Sequence, residues 1–271
     1  MAEHVPSRTL TVPIRRFGIR ASVAEPDLLA VEEPLQIRVG EHNLAVTMRT
    51  PGNDAELAAG FLFTEGFVQS SSDIIDIKCS SNTVCITLAE GVHVDPDRSE
   101  RNFSITSSCG VCGKASMDAL KTAGATVIPP SALKVKESLI RSLPAKLREN
   151  QTIFERTGGL HACGLFCAEG RMIILREDVG RHNAPDKLIG RALLDGHLPL
   201  GHYVLMVSGR TSFELVQKAV MAGIPILVAV GAPSSLAVKT ALRFGMTLVG
   251  FLRDDRFNAY SGASRIYQTK R

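Results

Sequence analysis

Residues 203–214, Tyr203-Val204-Leu205-Met206-Val207-Ser208-Gly209-Arg210-Thr211-Ser212-Phe213-Glu214, place an apolar run, a polar turn and a helix start in direct succession. A short apolar run without alternation suits a strand buried on both faces. The unit recurs downstream. Strands are expected over 203–207, 226–230 and 247–252, and helices over 184–194, 213–221 and 235–244. Short apolar strands alternating with amphipathic helices imply a parallel sheet covered on both sides, hence an α/β class. In such sheets ligands sit beyond the carboxyl ends of the strands. That rule selects the loops 177–183, 208–212 and 231–235, and the tail 253–260, which leaves the last strand on the same side.

Upstream, a helix is expected over 136–150, with Pro144 inside it and an extension to Thr157. A hairpin follows, with strands 160–167 and 171–176 joined through Ala168-Glu169-Gly170. Pro129-Pro130 lies in a linker-like stretch, 125–133, and marks the expected boundary between residues 1–130 and 131–271. The first part reads as strand-rich α+β. Strands are expected at 9–17, 34–39 and 43–49, and Asn53 or Asp54 caps a helix with Leu57, Ala58, Phe61 and Leu62 on its apolar face. A hairpin over 73–79 and 83–88 and a strand over 101–105 lead to two thiols.

Composition sets limits. Hydrophobic residues at 45% and charged residues at 21% call for a packed core rather than disorder. A net charge of +4 with no Trp argues against nucleic acid as a partner, and leaves room for a locally focused anion site. No stretch has the length and apolarity of a membrane span, and no signal peptide is read at the start, so the expected setting is the cytoplasm. The 6 cysteines are then expected to be free thiols.

Cys109-Gly110-Val111-Cys112-Gly113-Lys114 is the motif with the most chemical meaning. Thiols at this spacing serve as half a zinc site, a dithiol/disulfide pair or a reactive nucleophile. A helix beginning near Lys114 would lower the thiol pKa through its positive end. A structural zinc needs two more ligands, and no second C-x-x-C exists, so a reactive thiol is preferred and no metal is expected. Cys79 and Cys85 sit at strand positions suited to packing. His161-x-Cys163-x3-Cys167 has ligating residue types, but it lacks the glutamate of the deaminase H-x-E signature and is also read as packing.

Two polar clusters fall on the selected loops. In 177–187, Asn183 as N-cap, Pro185 and Asp186 account for a helix start, which leaves Asp178, Arg181 and His182 as candidates to contact phosphate, sugar or base. In 208–214, Thr211 and Glu214 read as a capping box, and Ser208, Gly209 and Arg210 as an anion-binding turn. Phe251-Leu252-Arg253-Asp254-Asp255-Arg256 reads, from composition alone, as a solvated charge run.

Taken in order, Ser107-Ser108-Cys109-Gly110-x-Cys112-Gly113, Thr157-Gly158-Gly159-x-His161, Glu177-Asp178-x-Gly180-Arg181-His182-Asn183-Ala184-x-Asp186-Lys187 and Ser208-Gly209-Arg210 resemble the FdhD family, accessory sulfurtransferases needed by formate dehydrogenase. The resemblance spans nearly the whole chain. It implies a cytidine-deaminase-like three-layer sandwich preceded by a smaller strand-rich domain, and a homodimer. It also implies a relay: sulfur from a cysteine desulfurase is held as a persulfide on Cys109, assisted by Cys112. From there it passes to the molybdenum or tungsten of a bis(molybdopterin guanine dinucleotide) cargo bound for apo-formate dehydrogenase. By position, 251–256 becomes the cargo-binding segment, and a guanine nucleotide is the expected mimic. A dithiol redox protein and a non-enzymatic cofactor carrier are the alternatives that the thiol spacing leaves open.

Overall fold

The structure, a computed structural model, describes residues 7–17, 23–94, 118, 120–130 and 133–268. The chain opens with a two-stranded antiparallel ribbon, β1 (Thr9–Arg16) and β2 (Val23–Ala30). The sequence pattern did not announce β2, since Glu25, Pro26 and Asp27 occupy its middle. A ribbon whose strands each have a free edge tolerates such residues, because no second neighbour needs their N–H groups.

Strands β3 (Glu33–Val39) and β4 (His42–Arg49) follow, then helix α1 (Asp54–Thr64), β5 (Ile74–Ser80) and β6 (Thr83–Leu88). They form a four-stranded sheet in the order β4-β3-β6-β5, with β3 and β6 parallel and the other pairs antiparallel. Leu35, Ile37, Val84 and Ile86 alternate with more exposed residues, so one face is apolar, and it is buried with the Leu57–Leu62 face of α1. The expected strand 101–105 lies outside the described residues.

The second half comprises β7 (Val135–Lys136), α2 (Glu137–Glu149), α3 (Thr152–Thr157), β8 (His161–Phe166) and β9 (Met172–Asp178). It continues through α4 (Asn183–Leu194), β10 (Val204–Val207), α5 (Phe213–Met221), β11 (Ile226–Ala229), α6 (Ser235–Arg243), β12 (Thr247–Gly250), β13 (Asn258–Ser261) and β14 (Ile266–Tyr267). The large sheet has the order β13-β12-β11-β10-β8-β9. β10, β11 and β12, the strands expected to alternate with helices, run parallel, and β8 and β9 form the expected hairpin; β8 and β13 are antiparallel to β10 and β12. The cause is local. The short 168–170 turn joins β8 to β9 as a hairpin, and the tail after β12 folds straight back as β13.

Both faces of this sheet are covered, as the unbroken apolar runs require. Leu205, Val207, Leu227 and Leu248 pack with Leu188, Val216 and Ala241 of α4, α5 and α6. Val204, Met206, Ile226 and Val228 pack on the other side with Ile140, Leu143 and Leu147 of α2. Residues 125–130 are packed as well. Ala125 and Ile128 are buried, and the Ile128 N–H donates to Phe244 O.

The two sheets are joined through α1 and α4. At their crossing, a Cβ added to Gly60 would lie 1.9 Å from Asp186 O, and one added to Gly190 would lie 1.8 Å from Glu56 O. The helices therefore meet backbone to backbone. No helix among the described residues is long and apolar enough to cross a membrane.

Candidate functional site

Strand direction gathers the candidate loops on one rim of the large sheet. The carboxyl ends of β9, β10, β11 and β12 and the amino ends of β8 and β13 all open there. A cavity of about 430 Å³ lies between the α2–α3 elbow and this rim, with Arg148, Phe154, Gly158, His161 and Ser208 in its walls. Pro144 and Val230 line it and also line a second cavity of about 550 Å³, whose floor and rim include Leu252, Arg253, Asp254, Asp255 and Arg256. The two adjoin at these shared residues and make up the groove. A further recess of about 250 Å³, walled by Phe251, Arg253, Arg256 and Asn258, adjoins its far end.

The 251–256 segment is shaped by the strands beneath it. Phe251 has φ 51°, a left-handed value that a non-glycine residue rarely adopts, and its N–H donates to Gly231 O at 3.0 Å. This turn leaves the Phe251 ring partly exposed and sends Leu252 into the core, 1% exposed. Leu252 is thus an anchor with little surface to offer a ligand. The Arg253 guanidinium donates to Val230 O at 2.8 Å and Leu252 O at 2.7 Å, so it is held at the groove wall. Arg256 pairs with Asp255 at 3.2 Å with both side chains largely exposed, an arrangement that an incoming anion can displace at little cost.

The structure places the 177–187 cluster differently from its sequence reading. Asp178 is fully buried, and it pairs with Lys187 Nζ at 2.6 Å. It also accepts from the N–H groups of Thr50 (3.2 Å) and Gly180 (2.7 Å) and from Asn183 Nδ2 (2.9 Å). Its carboxylate is occupied by the protein and has no surface facing the groove.

Asn183 does not cap α4. The preceding residue, His182, has helical φ/ψ and makes no side-chain cap, while Asn183 bonds Met48 O at 2.7 Å as well as Asp178. Lys187 also donates to Thr50 O at 2.8 Å. Asp186 takes Lys218 at 2.9 Å and Thr64 at 2.8 Å. The motif is largely a seam fastening the second half to residues 47–64 of the first. Glu56 adds a bidentate pair to Arg176, at 2.5 and 2.7 Å. Within the seam, burial raises the Asp186 carboxyl to about 6. Burial pulls Lys218 down, but Asp186 and Glu65 more than offset it, so its pKa lies above the usual lysine value.

Arg181, His182 and Arg210 sit on the rim beside the groove. Arg181 and Arg210 are exposed, and Gly209 faces the His161 ring. The expected capping box is not formed: the residue before α5 is Ser212, and Thr211 is buried one position earlier. Ser212 Oγ lies 3.2 Å from His182 Nε2. Ser208 Oγ accepts the Ala162 N–H at 2.9 Å, which ties the β10 turn to β8 next to His161.

Both rim histidines are held neutral. Burial, and then Arg181, lower His161. Burial, Lys218 and Arg181 bring His182 to about 4. A base whose folded pKa lies below its unfolded value stabilises fully above the unfolded value and loses that contribution as pH falls. The His182 contribution is therefore expected to be lost from about pH 6.5 toward pH 4, while the raised Asp186 carboxyl acts in the opposite direction, so the slope of stability against pH should change in His182→Gln. Denaturant midpoints across this range check it, and an unchanged slope in the variant would remove His182 from the account.

Cys109 and Cys112 lie outside the described residues. Cys163 and Cys167 are buried, and burial followed by the charge of Asp186 raises the Cys163 thiol far above its ordinary value, which suits packing. Among the described residues no three of His, Cys, Asp and Glu gather as a metal-binding group. Sequence reasoning did not single out Arg148, Gln151 and Phe154. They straddle the α2–α3 elbow, where the helical period breaks, so no single-helix pattern links them.

The FdhD/NarQ family profile matches residues 30–267. The sulfur carrier protein FdhD of Streptomyces coelicolor is 52% identical over 254 residues, covering 89% of each chain. The protein of the same name from Mycobacterium tuberculosis is 46% identical, over 93% of this chain and 96% of its own. A crystal structure from Desulfotalea psychrophila, provisionally described as a formate dehydrogenase accessory protein, superposes with a TM-score of 0.77 at 25% identity. The match covers 96% of this chain and 100% of that one.

Proposed function

The chain belongs to the FdhD/NarQ family, and on that footing we propose that it is a sulfurtransferase serving formate dehydrogenase. The observation that supports this most directly is the pair of adjoining cavities that extends from His161 and Ser208 to Arg253 and Arg256. The pair offers polar and cationic groups at both ends with Pro144 and Val230 between them, which suits an elongated anionic cargo rather than a small metabolite. The cargo in this reading is the bis(molybdopterin guanine dinucleotide) complex of molybdenum or tungsten. The flanking helices on both faces of the large sheet suit the cytidine-deaminase-like description. Residues 1–130 and 131–271 serve as its two parts, and a homodimer remains the expected assembly.

The chemistry is thiol exchange. The Cys109 thiolate attacks the terminal sulfur of a desulfurase persulfide, forming Cys109–S–S⁻ and releasing the donor thiolate, with no external oxidant. Cys112 assists or receives that sulfur before it passes to the metal. A neutral His161 at the groove wall offers a hydrogen bond to the cargo without adding charge.

Incubating the protein with a cysteine desulfurase and cysteine and reading its intact mass tests this. The expected result is a gain of one sulfur that disappears in Cys109→Ala. No gain in the unsubstituted protein would overturn the relay. A stable internal disulfide in its place would favour a redox protein, and normal guanine-nucleotide binding without any persulfide would favour a passive carrier.

A further inference from the structure

The end of the groove away from Arg253 holds a second constellation. Glu177, reaching from β9, accepts the N–H groups of Ile153 and Phe154 at 3.2 and 2.9 Å, which fixes the first turn of α3 and with it the Phe154 ring. The Arg148 guanidinium carbon lies 4.2 Å from the centroid of that ring. Arg148 is exposed and has no carboxylate partner among the described residues. Between them, Gln151 is 5% exposed, yet its carboxamide makes no hydrogen bond to a described residue, and it lines the cavity. A carboxamide that the protein leaves unpaired at a cavity wall is available to a ligand that enters the cavity.

The three groups differ in chemistry. The guanidinium over the phenyl ring is a flat, cationic platform of the kind on which heteroaromatic rings stack. The carboxamide offers a donor and an acceptor side by side, which match a lactam edge with its adjacent C=O and N–H. We propose that Arg148, Gln151 and Phe154 form a ring-reading subsite for the 2-amino-4-oxopyrimidine edge that guanine and pterin rings share. This rests on the proposed cargo and deepens it: one planar head lies at the α2–α3 elbow, while charged groups extend past Val230 to Arg253 and Arg256. The 251–256 segment then holds charge, and the elbow selects the ring.

Calorimetric titration of the full chain with guanosine diphosphate, with a simple pterin and with inorganic diphosphate tests the assignment. Gln151→Leu is expected to weaken ring binding about tenfold, the worth of the lost amide pair, and to leave diphosphate binding unchanged. Gln151→Glu keeps an acceptor for the ring N–H and amino groups and is expected to retain that binding, which a purely structural role would not explain. Loss for guanosine diphosphate assigns the head to guanine, and loss for the pterin alone assigns it to pterin; either supports the subsite. Unchanged ring binding in Gln151→Leu, or an equal loss for diphosphate, would overturn the subsite and leave the cargo reading intact. An unsubstituted protein that binds none of the three would remove both.

Discussion

Gly60→Ala and Gly190→Ala are each expected to destabilise the protein by roughly 3 kcal/mol, at the upper end of what overpacking costs. Each new methyl would land on backbone. From Gly60 it meets the carbonyl of Asp186 and the N–H of Gly190; from Gly190 it meets the carbonyl of Glu56 and the N–H of Gly60. No side chain can rotate away, so α1 and α4 must separate, loosening the apolar contacts that both make with the shared core. Once they have separated, a second methyl adds little, and the double variant should lose clearly less than the sum of the two. Gly201→Ala is the control, because a Cβ there meets nothing within 4 Å. Urea unfolding of the four variants against the unsubstituted protein decides the matter. Full additivity, or losses as small as the control's, would mean that the crossing is not as close as described.

Lys187→Met should cost about 3–5 kcal/mol, because it strands the Asp178 carboxylate in the interior. The Lys187 side chain is 1% exposed, and its ammonium is the cationic partner of a carboxylate with no exposed surface. Burial lowers the Lys187 pKa and Asp178 opposes that, so the charged pair depends on its two members together. Lys187→Met with Asp178→Asn removes both charges and keeps most of the shape. That double variant is expected to regain part of the loss, as a thermodynamic cycle would show. A loss under about 1 kcal/mol in Lys187→Met would place the pair outside the load on the seam.

These two expectations also show where the sequence could be read and where it could not. The 203–207, 226–230 and 247–252 runs revealed the large sheet, because strands buried on both faces carry apolar residues without interruption. Strand β2 was hidden by the polar middle of an exposed ribbon, and β7 and β14 are two residues long. Asp178 was legible as important and misread in kind: a carboxylate at a strand end looks the same whether it meets a ligand or Thr50, which lies 128 residues away in sequence. The groove draws on residues 148–154, 208, 230 and 252–256, a grouping that no local pattern encodes. Only the resemblance marked 251–256, and nothing marked Gln151.

The seam has a consequence for the chain as a polymer. Residues 47–65 and 176–218 grip each other through the glycine crossing, the Glu56–Arg176 and Glu65–Lys218 pairs, and the bonds of Asp178 and Lys187 to Thr50 and of Asp186 to Thr64. None of these contacts draws on positions 95–117, where the thiols lie. The bonds of Glu56 to Arg176, of Thr64 to Asp186 and of Thr50 to Asp178 each close a loop of 120 residues or more. Closing a longer flexible connection costs only about 0.6 kcal/mol for each doubling. A lengthening of the chain between the two gripping segments is therefore expected to cost the union of the sheets little.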